Sequence, residues 1–403
     1  MEQLPQVDAV ANAVGTLAER LRVVAAESCH ACEASGRVLS TPLCADRDSP
    51  AIDVSAMDGY AIRLSDLKAA ELQAAELPVA AVAAAGSEPQ SLGPGAAVQI
   101  FTGAAVPPES DCIIRREDTV ESPGRVKIAV SVESLSKGLN IRRRGENTKA
   151  GDVVLPLGAV LNAPAMGAVA TFAHTQLSVY RRVRVVVLNT GDELAGIGEE
   201  VQPWQIRDSN GPLLESWLRQ YPWIEFICRK HVGDRLALVQ SAIEQHLADA
   251  DAILLTGGVS MGDTDYVPEA IANLGGEVAF HRLPIRPGRP VLGASLGGKL
   301  LLGLPGNPVS VAVTSRVIGF PLLRKLAGIV PTEEPLGRCE LTDADNKTLS
   351  LVWYRLVKID QDAKVRLVGS QGSGDLVSLS LSDGFVELPM GASGNGPWRV
   401  RWW

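Results

Sequence analysis

The sequence predicts a multidomain protein of α/β plus β class, and three observations carry that expectation. Its 403 residues exceed a single module, because domains run to roughly 100–200 residues each. From Tyr180 to residue 325, strand-like apolar runs alternate with amphipathic helical patterns, which argues a parallel α/β sheet with covering helices. Before and beyond that stretch the apolar runs are short and cut by Gly and Pro, as in mostly β domains. Hydrophobic residues at 46% and charged residues at 21% exclude wholesale disorder.

The elements follow in order. Val7, Val10, Val14, Leu17 and Leu21 recur at helical spacing over residues 7–22. The chain turns irregular from Val38 to Ala51, and residues 63–139 read as a small β domain rich in turns. Val183-Arg184-Val185-Val186-Val187-Leu188 is the near-continuous apolar run of a strand buried on both faces. A helix carrying Leu213, Leu214, Trp217 and Leu218 follows, then a strand at 223–228. Asp234 precedes a helix with Leu236, Val239, Ile243 and Leu247, and Ala252-Ile253-Leu254-Leu255 is a second buried strand. After a loop comes a helix near 266–274. Beyond Pro331 only strands are expected, at 349–358, 364–367, 385–388 and 398–402.

Several classes drop out. A net charge of −8 argues against a nucleic-acid partner, which calls for a basic face. No window of about 18 apolar residues predicts a membrane span. The start, MEQLPQVDAV, lacks a basic segment followed by an apolar core, so no secretory signal is expected. Six cysteines are too sparse for a disulfide framework, and the expected compartment is a reducing cytoplasm. Cys29-His30-Ala31-Cys32 has C-x-x-C spacing, but no second pair exists to complete four ligands, so two incidental cysteines are the expectation.

The chemistry is expected in loops at the carboxyl ends of the α/β strands, where such sheets bind ligands. Residues 256–263 (TGGVSMGD) follow a buried strand, and three glycines, Gly257, Gly258 and Gly262, let the backbone around Ser260 approach an anionic ligand closely. In residues 304–310 (LPGNPVS), after Pro305, Asn307 is a natural N-cap and Pro308 a natural first helical residue. The N–H groups of Val309 and Ser310 would then form an anion site at a helix start. Arg282, Arg286 and Arg289 lie within eight residues, and guanidinium forks suit tetrahedral oxyanions. Arg142-Arg143-Arg144 forms a second cluster. Asp58, Asp192, Glu193, Asp234 and Asp265 sit at loop tips or before helices. Asp234 and Asp265 can be plain N-caps. Acids mixed with arginines also suit a Mg²⁺-assisted phosphoryl reaction, with oxygens on the metal and cations on the phosphates.

Taken together, SAMDGYAIR (55–63), FTGAAVP (101–107), NIRRRGE (140–146), NTGDEL (189–194), TGGVSMGDTDYV (256–267), IRPGRP (285–290) and LPGNPVS (304–310) resemble the MoeA-type molybdopterin molybdenumtransferases, the family of the gephyrin E domain. The resemblance runs from about residue 7 to 403. It implies insertion of molybdenum from molybdate into adenylylated molybdopterin, with release of AMP and with Mg²⁺ as cofactor. It implies a homodimer whose cleft joins the SAMDGY and RRRGE half of one subunit to the α/β domain of the other. The molybdopterin adenylyltransferase is an expected partner. The implied divisions are an N-terminal helix on the α/β domain (1–22), a discontinuous linker domain (23–48 and 150–179) and a mostly β domain (49–149). An α/β molybdopterin-binding domain (180–328) and a small C-terminal β-barrel (329–403) complete them.

Carried over by position, Asp58, Glu193, Asp234 and Asp265 match the family's functional acids, with Glu193 and Asp234 as metal ligands. Thr102 and Arg142 match cleft residues. Arg286, Arg289, Ser310, Arg355 and Ser373 correspond to a molybdate pocket. Arg282 and Arg286 stand where many relatives have lysine, exchanging a point charge for a fork. One departure is Asn147, where relatives typically carry Asp after RRRGE. A non-catalytic scaffold is the rival reading, and Asn147 is the feature that favours it. Molybdate and tungstate are too alike in size and charge to separate by sequence.

Overall fold

The apolar run from Val183 sits in the body of a six-stranded sheet of order Ile224–Val232, Val183–Thr190, Ala252–Thr256, Lys299–Leu304, Leu292–Leu296, Glu277–His281. The first four strands run parallel to one another. The last two join antiparallel, so the sheet is mixed, with the parallel core extended by a hairpin. The reason is local: Leu292–Leu296 turns into Lys299–Leu304 through Gly297 and Gly298, with φ of 61° and 88°. Two consecutive positive φ angles are what a tight hairpin turn demands. Val185, Val187, Leu254 and Leu302 face one apolar cluster, and Val186, Leu188, Ile253 and Leu301 the other. Both faces are therefore buried, as the unbroken apolar runs require.

This computed structural model describes residues 8–69, 76–260, 262 and 265–403. Val7 of the first helical pattern and Met261, Asp263 and Thr264 of the Gly-rich loop lie outside the described residues. The chain divides into two units, one of residues 1–41, 157–166 and 175–403, the other of 42–156 and 167–174.

In the larger unit the helix Asp8–Arg20 places Val10 and Leu17 in the same apolar cluster as Phe280, Val317 and Leu322 of the α/β region. A three-stranded sheet pairs Gln176–Tyr180 with both Ala26–His30 and Val38–Leu39, distant in sequence. Beyond residue 331, Val352–Ile359, Gly384–Leu388, Trp398–Trp402 and Gly337–Cys339 pair in series, with Val365–Leu367 on the free side of Val352–Ile359. A bridge from Leu341 to Val365 closes these five strands into a small barrel around Leu341, Val357, Val365, Val386, Leu388 and Val400. Closure removes the unpaired sheet edge. Ile285–Arg286 joins the same sheet by pairing with Val352 and Trp353.

The smaller unit holds a six-stranded sheet containing Gly59–Ile62, Glu76–Ala83 and Ala97–Ile100, with apolar clusters on both faces. Its two-stranded ribbon pairs Ile141 with Ser55 and Arg142 with Val54. The SAMDGY and RRRGE motifs, far apart in sequence, thereby lie side by side. Among the described residues no helix is long and apolar enough to cross a membrane.

Candidate active site

Thr190 and Thr256 end adjacent parallel strands, and the loops that follow them meet. The Gly-rich loop crosses close over Thr190: a Cβ on Gly257, whose φ is 84°, would lie 2.6 Å from the Thr190 carbonyl oxygen. Only glycine fits that approach. The N–H of Gly257 donates to Leu304 O at 3.2 Å, so this amide serves the fold. His281 Nε2 lies 2.8 Å from Val259 O, tying the loop to the edge strand Glu277–His281.

These loops line a cavity of about 290 Å³ that brings together Glu193, Asp234, Asp265, Gly257, Gly258, Ser260 and Pro305, with Thr190, Gly191, Val259, Pro290 and Gly306. Neither Asp234 nor Asp265 is an N-cap. Arg235 and Tyr266 hold those positions, and neither caps with its side chain. Asp234 Oδ2 instead accepts the Asp192 N–H at 3.2 Å, and Asp265 Oδ2 accepts the Gly262 N–H at 2.6 Å. Below the cavity, Asn189 Nδ2 donates to Thr256 Oγ1 at 2.7 Å, and Asn210 Nδ2 donates to Gly306 O at 2.6 Å.

A larger cavity of about 730 Å³ adjoins it, sharing Ser260, Pro290, Pro305 and Gly306. Its lining contains Arg286, Arg289, Asn307, Ser310, Arg355 and Ser373 together with Trp353. All five residues for which the resemblance implies a molybdate pocket border one space. Arg286 and Arg289 come from a turn pinned at both ends. Leu283 N–H donates to Arg289 O at 3.0 Å, and Arg286 pairs in register with Trp353. Arg355 donates to Asp345 through both terminal nitrogens, at 2.6 and 2.9 Å. That fork holds the Asp345 carboxyl below the usual carboxylate range.

Asn307 and Pro308 start the helix Pro308–Thr314, but the anion site expected there is not formed by Val309. Its N–H donates to Ser373 O at 3.0 Å, and Asn307 Nδ2 donates to Ser373 Oγ at 2.9 Å. The C-terminal loop occupies the helix start and satisfies the orphan donor. Arg282 and Pro308 line neither cavity, and Arg282 has a left-handed backbone with φ of 67°.

In the smaller unit, Asp58 Oδ1 accepts both the N–H and the hydroxyl of Thr102, at 2.8 and 2.7 Å. The backbone bond first, then the hydroxyl, hold the Asp58 carboxyl below its ordinary range. The arginine run is no open cationic patch. Arg142 donates to Glu146 at 2.6 Å and to Asn147 Oδ1 at 2.8 Å, Arg143 to Asp53, and Arg144 to Asp48.

Sequence reasoning missed Thr190, Gly191, Pro290, Gly306, Trp353 and Asp345. The first four lie within or beside quoted motifs and could have been found there. Asp345 carries no sequence signal. All six cysteines are free, with Cys29 buried and Cys32 exposed. Among the described residues no group of three His, Cys, Asp or Glu side chains is placed to hold a metal.

Residues 7–173 match the MoeA N-terminal region (domain I and II), 186–325 the probable molybdopterin binding domain, and 342–395 the MoeA C-terminal region (domain IV). The chain is similar to the molybdopterin molybdenumtransferase of Nostoc sp., at 35% identity over 369 residues, 89% of this chain and 84% of that protein. It is also similar to that of Haemophilus influenzae, at 33% identity, with 88% of each chain covered. A solved molybdopterin biosynthesis MoeA protein from Pyrococcus horikoshii superposes with a TM-score of 0.75 at 26% identity, covering 97% of both chains.

Proposed function

The chain belongs to the MoeA family of molybdopterin molybdenumtransferases, and from that membership we propose how its residues insert molybdenum from molybdate into adenylylated molybdopterin with release of AMP. One observation carries the reading. An acid-lined cavity and an arginine-lined cavity share Ser260, Pro290, Pro305 and Gly306, so a phosphorylated ligand and a small dianion can lie side by side.

The acid cavity holds Glu193, Asp234 and Asp265 and no cationic side chain in its lining. Three carboxylates alone would repel a diphosphate. A hard divalent cation removes that conflict, and Mg²⁺ characteristically takes one or two carboxylates plus phosphate oxygens and water. The donor set fits, and Glu193 and Asp234 would hold the ion. Bound there, Mg²⁺ supplies neutralisation of charge on the phosphate oxygens. Gly257, Gly258, Ser260 and Pro305 shape the floor against which the ligand lies. Asp265 keeps the far end of the Gly-rich loop in place through Gly262.

Molybdate belongs in the second cavity. Arg286, Arg289 and Arg355 oppose its charge, and the hydroxyls of Ser310 and Ser373 supply neutral donors. The reading includes a two-fold homodimer in which Asp58, Thr102 and Arg142 of one subunit complete the cleft of the other. The test is incubation of the purified protein with adenylylated molybdopterin, molybdate and Mg²⁺. AMP and molybdenum cofactor, the latter measured by reconstitution of a cofactor-free molybdoenzyme, are the expected products. Ligand binding with neither product would instead support the scaffold reading.

A further inference from the structure

The arginine cavity contains an arrangement that the metal-insertion reading does not account for. Two guanidinium groups lie over the Trp353 indole. The Arg355 guanidinium carbon is 4.2 Å from the centre of that indole, and that of Arg286 is 6.0 Å away. Both distances lie within the range of cation–π attraction. Arg286 is also the residue directly paired with Trp353 across the sheet. Asp345 grips the Arg355 terminal nitrogens in a bidentate fork, yet Asp345 is absent from the cavity lining whereas Arg355 and Trp353 belong to it.

We propose that Asp345 and Trp353 are positioning residues, which hold the Arg355 guanidinium in a fixed plane and present its remaining N–H donors to the bound oxyanion. This rests on the assignment of molybdate to that cavity. A guanidinium has five N–H donors, and a bidentate carboxylate consumes two. The other donors remain for the anion. A free arginine would surrender rotamer freedom when it bound, whereas this one is already restrained, and such preorganisation favours binding. Among the cavity-lining side chains only Arg286, Arg289 and Arg355 are charged. Behind Arg355, Asp345 also pairs with Lys347 at 3.7 Å, so the local charge stays positive, as an oxyanion requires.

Charge alone and positioning make opposite predictions for Asp345→Asn. Removing a negative charge near an anion site should tighten binding on electrostatics alone. Removing the anchor of Arg355 should weaken it. The experiment is calorimetric titration of sodium molybdate into the purified full-length protein and its Asp345→Asn, Asp345→Glu, Trp353→Leu and Arg286→Ala variants. Affinity for adenylylated molybdopterin and melting temperature are measured on the same preparations.

The expected result is roughly tenfold weaker molybdate binding in Asp345→Asn and Trp353→Leu, with pterin affinity unchanged and with recovery in Asp345→Glu. If Arg286→Ala weakens molybdate binding and Asp345→Asn does not, the positioning proposal is overturned and the site assignment stands. If the wild-type protein binds no molybdate, or Arg286→Ala binds it normally, both are overturned. Should Asp345→Asn lower the melting temperature sharply, Trp353→Leu decides: unchanged molybdate affinity there rejects the proposal.

Discussion

Asp192 and Asp234 hold each other by their backbones. The Asp192 N–H donates to Asp234 Oδ2 at 3.2 Å, and the Asp234 N–H donates to Asp192 Oδ1 at 3.1 Å. This reciprocal pair joins the loop after the Val183–Thr190 strand to the loop after Ile224–Val232, next to Glu193. Asp234 therefore has a structural duty that asparagine can share, because an amide oxygen also accepts an N–H bond. Asp234→Asn is expected to melt with the wild type while AMP release falls at least tenfold, since the neutral side chain no longer favours a metal ion. Asp234→Ala should lose roughly 1 kcal/mol of stability as well. Thermal melts and AMP assays on both variants separate the roles, and full activity in Asp234→Asn would remove its charge from the mechanism.

Glu193→Gln is expected to abolish AMP release while leaving the protein's mass in solution unchanged. Glu193 lines the acid cavity beside Gly191, while Asp58 belongs to the smaller unit. If each cleft draws on both subunits, inactive Asp58→Asn and Glu193→Gln chains should complement. Random reassortment would then restore about a quarter of wild-type activity, because half the dimers are mixed and each has one intact site. Absence of recovery after subunit exchange, verified by mass, would argue for a cleft built within one chain.

Much of this arrangement could be read in the residues, and what could not follows a pattern. Val183–Leu188 and Ala252–Leu255 announced buried strands because burial on both faces demands unbroken apolar runs. The loops after them were legible as candidate sites because of where such sheets bind ligands, and both line one cavity. The antiparallel hairpin around Gly297-Gly298 went unread, because a short apolar run does not state its direction. Partnerships across long separations left no trace. Asp192 with Asp234, Val309 with Ser373 and the Arg286–Trp353 register depend on tertiary placement. The anion site expected at Val309 failed for that reason: a loop more than 60 residues away takes the donor.

Asp375 links acid stability to the loop that carries Ser373. Its carboxylate accepts the hydroxyl and N–H of Ser378 and the N–H of Gln371, which together lower its pKa to about 2 from 3.8. A depressed folded pKa means that the contribution is fully present above about pH 4 and is lost as pH falls toward 2. Melting temperature should accordingly fall over that window, and less steeply in Asp375→Asn. Parallel slopes for the two proteins would show that the loop is indifferent to this charge.

Asn147 stands where the family resemblance leads one to expect an acid, and its contacts show what it retains. Its Oδ1 accepts from Arg142 Nη2 at 2.8 Å, while Glu146 Oε1 accepts from Arg142 Nε at 2.6 Å. Arg142 is oriented by one charged and one neutral oxygen. Asn147→Asp is expected to add no more than about 1 kcal/mol of stability, as exposed pairs do, and to keep turnover within twofold. Glu146→Gln, which removes the only carboxylate contacting Arg142 among the described residues, should cost more. A tenfold rise in turnover for Asn147→Asp would mean that the amide impairs the cleft.

Substitutions at Arg286 and Arg289 distinguish which cavity takes which anion. Arg286 and Arg289 come from one turn, face Ser310 and Ser373 in the larger cavity, and share it with Arg355. The neighbouring cavity is lined by acids and the Gly-rich loop, and suits a metal-bound diphosphate. A free dianion has no reason to enter a space bounded by three carboxylates, whereas converging guanidinium groups favour it. Arg286→Ala should raise the molybdate concentration for half-maximal turnover by about tenfold or more, the effect of losing a charge-assisted contact. Affinity for adenylylated molybdopterin should change little. Arg289→Lys should be milder, because the charge remains and only the planar fork is lost. Calorimetry with each ligand separately decides the matter. Weakened pterin binding with unchanged molybdate affinity in Arg286→Ala would reverse the assignment of the two cavities.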